Sequence, residues 1–166
     1  IVGRCQGQLW EKEGIKALEY LKSRGLSEKT INRFNLGYST GQNVNGLWVA
    51  RGIVIPCGVG GRMWYLKIRL PAKPGEQKYT AVKGSKPAAI FNGDFLFGND
   101  IVLFCEGEFD CMIAHQELKD VVAAATLGSA TNTPDLATWG GIIRPIKTIL
   151  SAYDHDKAGE TGAARL

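Results

Sequence analysis

The 166-residue sequence lacks any apolar run near the roughly 20 residues that a membrane helix needs. It also lacks a starting Met, and the first residues, Ile1-Val2-Gly3-Arg4, do not have the layout of a secretory signal peptide. We therefore expect an excised piece of a cytoplasmic protein, with no membrane partner. The sequence stops at Leu166, a few residues into a predicted helix, so we expect truncation at that end as well.

The four cysteines are not spaced as zinc ligands. No C-x-x-C pair occurs among Cys5, Cys57, Cys105 and Cys111, which argues against a zinc ribbon within this chain. The pattern favours reduced, buried thiols, as in a cytosolic protein.

The net charge of +4 combines two opposite halves. Residues 1–90 contain 15 Lys and Arg against 5 Asp and Glu, whereas residues 91–166 contain 5 against 11. A basic half beside an acidic half suits a polyanionic partner together with a cation site. Two differently charged solvated surfaces would explain the same numbers.

Hydrophobic spacing and turn residues predict a small mixed α and β segment in the first half. Ser27 is a candidate N-cap, and the glycines around residue 60 favour a hairpin. The predicted elements, in chain order, are helices over 11–24 and about 27–34, a polar loop over 39–46, strands over 47–57 and 62–70, and irregular chain over 79–99.

From residue 100 onward, buried-type strands alternate with helices, which predicts an α/β unit with a parallel sheet. The predicted strands are 101–105, 121–127 and 148–153, and the predicted helices are 108–118, about 134–139 and 157–166.

Acidic residues follow two of these strands. Glu106 ends the first strand, Asp110 lies one turn into the next helix, and Asp154 and Asp156 end the third strand. Ligand sites of open α/β sheets form beyond the carboxyl ends of the strands, so we expect these carboxylates to share one crevice. Carboxylate oxygens suit Mg²⁺ or Mn²⁺ rather than zinc, and crowded carboxylates favour a divalent cation. Spacing alone leaves an alternative open, namely that Asp154 or Asp156 caps the helix over 157–166.

The paired patterns E-G-x-x-D and D-x-D-x-x-G resemble the Toprim domain, which bacterial-type primases share with type IA and type II topoisomerases and some nucleases. The resemblance covers about residues 100–166 and implies that Glu106, Asp154 and Asp156 are the metal-binding and catalytic carboxylates, with Asp110 in support. It also implies a Rossmann-like parallel sheet with flanking helices.

The first half resembles the entry to bacterial primase cores, which topoisomerases do not have. The similar segments are Tyr20–Ser27, Ile31–Tyr38, Ile53–Pro56, Lys78-Tyr79 and Phe95–Gly98. The resemblance implies that Arg24, Arg69 and Lys78 hold template phosphates or the incoming triphosphate. Arginine makes bidentate contacts to phosphate, whereas lysine acts as a point charge.

Other side chains in the basic half are weaker candidates. Arg62, Lys67, Lys83 and Lys86 could line the same face, and Trp48, Trp64, Tyr65 and Tyr79 could stack on bases. For each of these residues taken singly, a solvated cation or a core aromatic is the simpler interpretation.

Two departures from the family are visible. Where primases usually have another lysine, this chain has Phe91-Asn92-Gly93-Asp94. Either nucleotide binding is weaker here or Lys86 replaces that lysine. The segment between Tyr38 and the next strand is short, which suggests a compact phage- or plasmid-like version.

These observations predict a primase catalytic core fragment, with a basic subdomain over residues 1–95 and a C-terminally truncated Toprim subdomain over residues 96–166. Such a core would use Mg²⁺ or Mn²⁺ to join ribonucleoside triphosphates into short primers on single-stranded DNA. The family implies a zinc-binding template reader before this region, and a replicative helicase as a partner. The alternatives are a Toprim nuclease and a non-catalytic DNA-binding module of a mobile-element replication protein.

Overall fold

The computed structural model describes residues 1–86 and 88–166. They form two compact units. The N-terminal unit comprises Ile1–Cys57 and Met63–Lys86, and the C-terminal unit comprises Gly58–Arg62 with the described residues from 88 to 166. The functional division between residues 95 and 96 stays a prediction.

Three short helices open the N-terminal unit: α1 (Val2–Trp10), α2 (Ile15–Ser23) and α3 (Glu28–Arg33). The predicted N-cap of α3 is confirmed, because the side chain of Ser27 accepts a hydrogen bond from the Thr30 backbone N–H at 3.2 Å.

Two small sheets complete this unit, except that the tip of one hairpin, Gly58–Arg62, is assigned to the C-terminal unit. In the four-stranded sheet the order is β1, β4, β5, β6, and β2 and β3 form a separate antiparallel pair. The strands are β1 (Gly37–Ser39), β2 (Gln42–Val44), β3 (Leu47–Val49), β4 (Gly52–Val59), β5 (Arg62–Arg69) and β6 (Tyr79–Ala81). The predicted hairpin is β4–β5, whose two connecting residues, Gly60 and Gly61, have φ of 62° and 70°.

The core of the N-terminal unit joins α1 to both sheets. A Cβ on Gly37 would lie 2.6 Å from the backbone of Cys5, so only glycine lets β1 pass this close to α1. The buried cluster consists of Cys5, Val44, Val49, Val54, Leu66, Ile68 and Val82.

The C-terminal unit alternates strand and helix as predicted. Its elements are β7 (Ile101–Cys105), α4 (Glu108–Leu118), β8 (Ala123–Thr126), α5 (Leu136–Ile143), β9 (Thr148–Ala152) and α6 (Lys157–Ala163). The sheet order is β8, β7, β9, with both pairings parallel, so the predicted parallel α/β sheet is confirmed. Strand β8 is wholly buried, whereas β9 is largely exposed.

Several boundaries differ from the predictions. Helix α1 was not expected, and the helix predicted over 11–24 begins only at Ile15, after a 3-10 turn over Lys12–Gly14. The predicted polar loop over 39–46 contains the β2–β3 turn, and the strand predicted over 47–57 is two strands, interrupted at Ala50 and Arg51.

All four cysteines are buried, and none of them forms a disulfide bond, as expected. Within the described residues, no helix combines the length and apolar character needed to cross a bilayer.

Candidate active site

The carboxyl ends of the three parallel strands meet at one edge of the C-terminal unit. Cys105, the last residue of β7, pairs with Thr126 of β8 and with Ala152 of β9. Glu106 and Tyr153, which follow β7 and β9, therefore leave the sheet at the same edge.

Two hydrogen bonds join the strand ends to one another. The backbone N–H of Asp154 donates to Glu106 Oε2 at 3.1 Å, which brings together two of the predicted carboxylates. The hydroxyl of Thr126, fully buried, donates to the Glu106 carbonyl at 3.1 Å and accepts from the Gly128 N–H at 2.9 Å. The backbone and the side chain of Glu106 are thus each held by a neighbouring strand.

Asp156 caps the next helix. Its side chain accepts a hydrogen bond from the Gly159 N–H at 2.8 Å, and it is the N-cap of α6. Of the two aspartates that could cap this helix by their position in the sequence, Asp154 and Asp156, it is therefore Asp156 that does so. A Cβ on Gly159 would collide with the Asp154 carbonyl, which explains the glycine of the D-x-D-x-x-G pattern.

The remaining residues of the first acidic cluster lie at the start of α4. Asp110 is exposed in the first turn of the helix, whereas Glu108 is only 3% exposed. Asp110 thus lies at the surface of the site, and the buried Glu108 was not among the predicted site residues.

Two other groups beside the carboxylates keep their protons at neutral pH. Burial raises the pKa of the Cys105 thiol to about 11, and the charge of Asp110 adds to this rise. Burial also raises the pKa of Tyr153, with smaller contributions from Cys105 and Glu106. Since metals bind the thiolate and not the thiol, the ligands on offer at this edge are carboxylate oxygens.

These carboxylates do not form a closed metal cage. Among residues 1–86 and 88–166, no group of three or more His, Cys, Asp and Glu side chains is positioned to hold a metal ion. Asp110, Asp154 and Asp156 are exposed, and Asp156 is turned toward its capping bond. The donor chemistry, oxygen ligands only, nevertheless fits Mg²⁺ or Mn²⁺.

In the N-terminal unit, Arg69 is held between two tyrosines. Its guanidinium carbon lies 5.0 Å from the ring centre of Tyr20 and 5.4 Å from that of Tyr79. Arg69 Nη1 also donates to the Tyr79 hydroxyl at 2.9 Å. Cation–π contacts on this scale fix the direction of the guanidinium, which suits it to bind phosphate.

Lys67 belongs to the same cluster. Its Nζ lies 5.5 Å from the ring centre of Tyr79 and 5.6 Å from that of Tyr65. Arg69 also lines a cavity of about 350 Å³ whose other walls include Lys16, Tyr20, Tyr38 and Arg51. The sequence reasoning did not select Lys16, Tyr20 or Arg51 as individual site residues, and Tyr20 could have been found one helical turn before Arg24.

The other predicted basic residues are more dispersed. Arg24 is exposed at the C-cap of α2, and Lys78 is exposed beside Tyr79. Arg62 starts β5 and, seven residues before Arg69, points to the opposite face of that strand. Lys86 is exposed, and its backbone N–H donates to the Trp64 carbonyl at 2.8 Å. The structure therefore brings Arg69 and Lys67 together around Tyr79, and it places four other predicted cations at the surface: Arg24, Arg62, Lys78 and Lys86.

The four candidate aromatics also differ in exposure. Tyr65 is buried, Trp64 and Tyr79 are half-buried, and Trp48 is 62% exposed. The core interpretation thus holds for Tyr65, whereas Trp48 faces solvent. Thr126 was missed as a site residue; its signal was a polar residue at the end of an otherwise all-alanine strand.

Comparison with protein-family models gives two matches. Residues 5–52 match the N-terminal domain of the DNA primase catalytic core, and residues 103–166 match a Toprim-like domain. No curated protein matches the sequence.

Solved primase cores share the fold of nearly the whole chain. The Escherichia coli primase catalytic core superposes with a TM-score of 0.74 at 19% identity, over 99% of this chain and 63% of that one. The RNA polymerase domain of Mycobacterium tuberculosis primase DnaG gives 0.76 at 17% identity, over 98% and 66%. The primase fragment of the bacteriophage T7 primase-helicase gives 0.61 at 24% identity, over 87% and 57%.

This chain thus spans about two thirds or less of the primase structures that it matches. The match to the primase N-terminal domain precedes the Toprim-like match along the chain. The chain therefore has the fold of solved bacterial and phage DNA primase catalytic cores, and its sequence matches the N-terminal domain of such a core followed by a Toprim-like domain.

Proposed function

We propose that the chain is the catalytic part of a primase that makes short RNA primers on single-stranded DNA. The observation that carries this proposal is the junction at the sheet edge, where the Asp154 N–H bonds Glu106 Oε2 and so joins the two acidic motifs. The presence of a primase N-terminal domain before the Toprim-like domain favours primer synthesis over the other Toprim activities.

Glu106, Asp154 and Asp156 are the proposed holders of Mg²⁺ or Mn²⁺, with Asp110 beside them. A divalent cation bound there would acidify a nucleotide 3′-hydroxyl and neutralise the charge of the departing pyrophosphate. The protein contributes orientation, because Glu106 is fixed from β8 and β9, and Asp156 is fixed by the Gly159 N–H. Removing the Asp156 side chain from its cap and turning it to a metal would cost one hydrogen bond.

The basic cluster is the proposed phosphate-binding part. Arg69 is directed by Tyr20 and Tyr79, so less conformational entropy is lost when it binds a phosphate. Arg24 and Lys78 are exposed and fit long-range attraction of the polyanion better than precise placement. A DnaG primase catalytic domain with a similar fold, TM-score 0.75, has been solved bound to single-stranded DNA. Ribonucleoside triphosphates, a replicative helicase and a cytoplasmic location belong to the same proposal.

The test is metal-dependent primer synthesis on single-stranded DNA with labelled ribonucleotides, comparing the parent with Asp154→Asn. We expect loss of at least about 100-fold, the scale on which removal of a group that stabilises transition-state charge acts. Asp120→Asn is the matched control, since Asp120 is an exposed carboxylate just before β8, at the opposite end of the sheet.

Three results would contradict the proposal. Primer synthesis unchanged in Asp154→Asn would remove the acidic site from the mechanism. Broken template in place of primer would indicate a nuclease. Equal DNA binding by both proteins without primer from either would favour a non-catalytic binding module.

A further inference from the structure

The β2–β3 hairpin of the N-terminal unit is a short but well-defined element. Asn45 and Gly46 have φ of 52° and 81°, the left-handed pair that a tight two-residue hairpin requires. The Asn43 side chain accepts a hydrogen bond from the Gly46 N–H at 2.9 Å. The turn is therefore held both by its backbone geometry and by a side chain.

One face of this hairpin is anchored in the core. Val44 and Val49 are 5% and 0% exposed, and Leu47 packs against the same cluster. Since side chains alternate along a strand, Trp48 points to the other face, beside its cross-strand partner Asn43. Trp48 is 62% exposed, more than any other large hydrophobic side chain described in the N-terminal unit.

An indole held in solvent on a rigid backbone is unusual, because tryptophan is highly buried on average. Flat aromatic surfaces on fixed strands are what single-strand-binding proteins use to stack bases, and stacking tolerates any base. The rigidity of the hairpin lowers the entropy lost on binding.

The surrounding charge favours a polyanion. Residues 29–75, which include the hairpin, contain seven Lys and Arg and no Asp or Glu. Arg51 follows Trp48 by three residues, so the Cα atoms of the two residues are at most about 11 Å apart. Its Nε donates to the Tyr38 hydroxyl at 3.0 Å, and the side chain is exposed. This hydrogen bond holds one nitrogen of the guanidinium at Tyr38, and the guanidinium has further N–H donors.

We propose that this face binds single-stranded DNA, with a base stacked on the Trp48 indole and a backbone phosphate bound by Arg51. The inference deepens the proposed function and rests on it, since it assigns part of the template's path. A duplex would not fit this role as well, because its bases are already stacked on each other and their faces are covered.

The first experiment measures binding of a labelled oligothymidylate by fluorescence anisotropy, together with quenching of the protein's own tryptophan fluorescence. We expect Trp48→Ala to weaken binding about 5- to 100-fold. Trp48→Phe retains a stacking ring, so it should weaken binding less while losing most of the quenching. Trp10→Ala is the matched control, because Trp10 is 41% exposed on α1 of the same unit, and it should bind as the parent does.

The second experiment tests Arg51 through salt dependence. Each phosphate contact to a single strand contributes about 0.7 to the slope of log affinity against log salt. Arg51→Gln should therefore flatten the slope by about that amount, whereas Trp48→Ala should lower affinity without changing the slope.

The outcomes separate this inference from the proposed function. Parent-like binding by Trp48→Ala, equal losses in Trp48→Ala and Trp10→Ala, or no binding of the oligonucleotide by the parent would each overturn the Trp48 assignment. Binding that depends on Trp48, without any primer synthesis, would support the Trp48 face as a binding surface for single-stranded DNA and would refute the primase activity. Capture of duplex and single strand with equal affinity would also contradict stacking on Trp48.

Discussion

At the scale of single residues, the geometry of the site depends on Thr126 as much as on the carboxylates. Its hydroxyl is fully buried and joins the Glu106 carbonyl to the Gly128 N–H. Thr126→Val keeps the shape of the side chain but leaves both partners without this hydrogen bond. We expect the free energy of unfolding to fall by about 1–3 kcal/mol, measured by urea denaturation.

The control for Thr126 is Thr126→Ser, which keeps the hydroxyl and loses only a methyl group. It should retain more of the stability than Thr126→Val does, and more of the primer synthesis. If valine were tolerated as well as serine, the bridging hydroxyl would not be what holds Glu106.

At the scale of elements, the connection from β9 to α6 sets the position of the second acidic motif. Gly159 lies directly against the Asp154 carbonyl, so a methyl group there must displace either the turn or the helix. We expect Gly159→Ala to destabilise the protein by about 1–3 kcal/mol and to lower primer synthesis, although alanine favours helix in general. Thermal unfolding and the primer assay on the same samples measure both effects.

Gly141→Ala in α5 is the matched control, because nothing lies within 4 Å of a Cβ built at that position. There the higher helix propensity of alanine should act alone and raise stability by about 0.5–1 kcal/mol. Opposite signs of the stability change at Gly159 and Gly141 would separate crowding from helix propensity. A stabilised Gly159→Ala would show that the close contact with the Asp154 carbonyl does not limit the side chain.

Helices and strands could be predicted from the sequence where their pattern of apolar residues extended over five or more residues. The apolar run of β7 and the following helix α4 were placed within a residue or so, and the parallel-sheet rule then placed Glu106 beside Asp154. Helix α1 was missed because Gly3 and Gly7 lower its propensity and only two of its residues are buried. Strand β2 was predicted as part of a loop because it has only three residues, too few to show alternation, whereas β3 fell within the strand predicted over 47–57.

At the scale of the whole molecule, the sequence predicted the parallel sheet and showed the basic and acidic halves of the chain, but it did not predict which side chains contact one another. Charge counts need only composition, whereas the Arg69 cluster depends on Tyr20, which is 49 residues away in the chain. Likewise, the choice of Asp156 rather than Asp154 as the cap depends on how β9 enters α6. Such contacts follow from tertiary packing, which spacing in the sequence does not report.

Stability of the whole molecule should also depend on pH through Cys105, which is 2% exposed beneath the acidic edge. Its pKa rises from 9.0 to about 11 in the fold, mainly because burial disfavours the thiolate. Between these values the native protein keeps a proton on Cys105 that the unfolded chain has lost. The contribution of Cys105 to stability is therefore constant below about pH 9 and falls as pH rises toward 11. This loss should reach at most about 2–3 kcal/mol.

The variant Cys105→Ala tests this assignment. Its free energy of unfolding, measured by urea denaturation, should decline less steeply across the same pH range. The remaining decline would arise from Cys5 and Tyr153, whose pKa values are also raised. If both proteins lost stability in parallel from pH 9 to 11, the Cys105 thiol would be titrating as it does in the unfolded chain, and it would have to be accessible to water rather than sealed under the carboxylates.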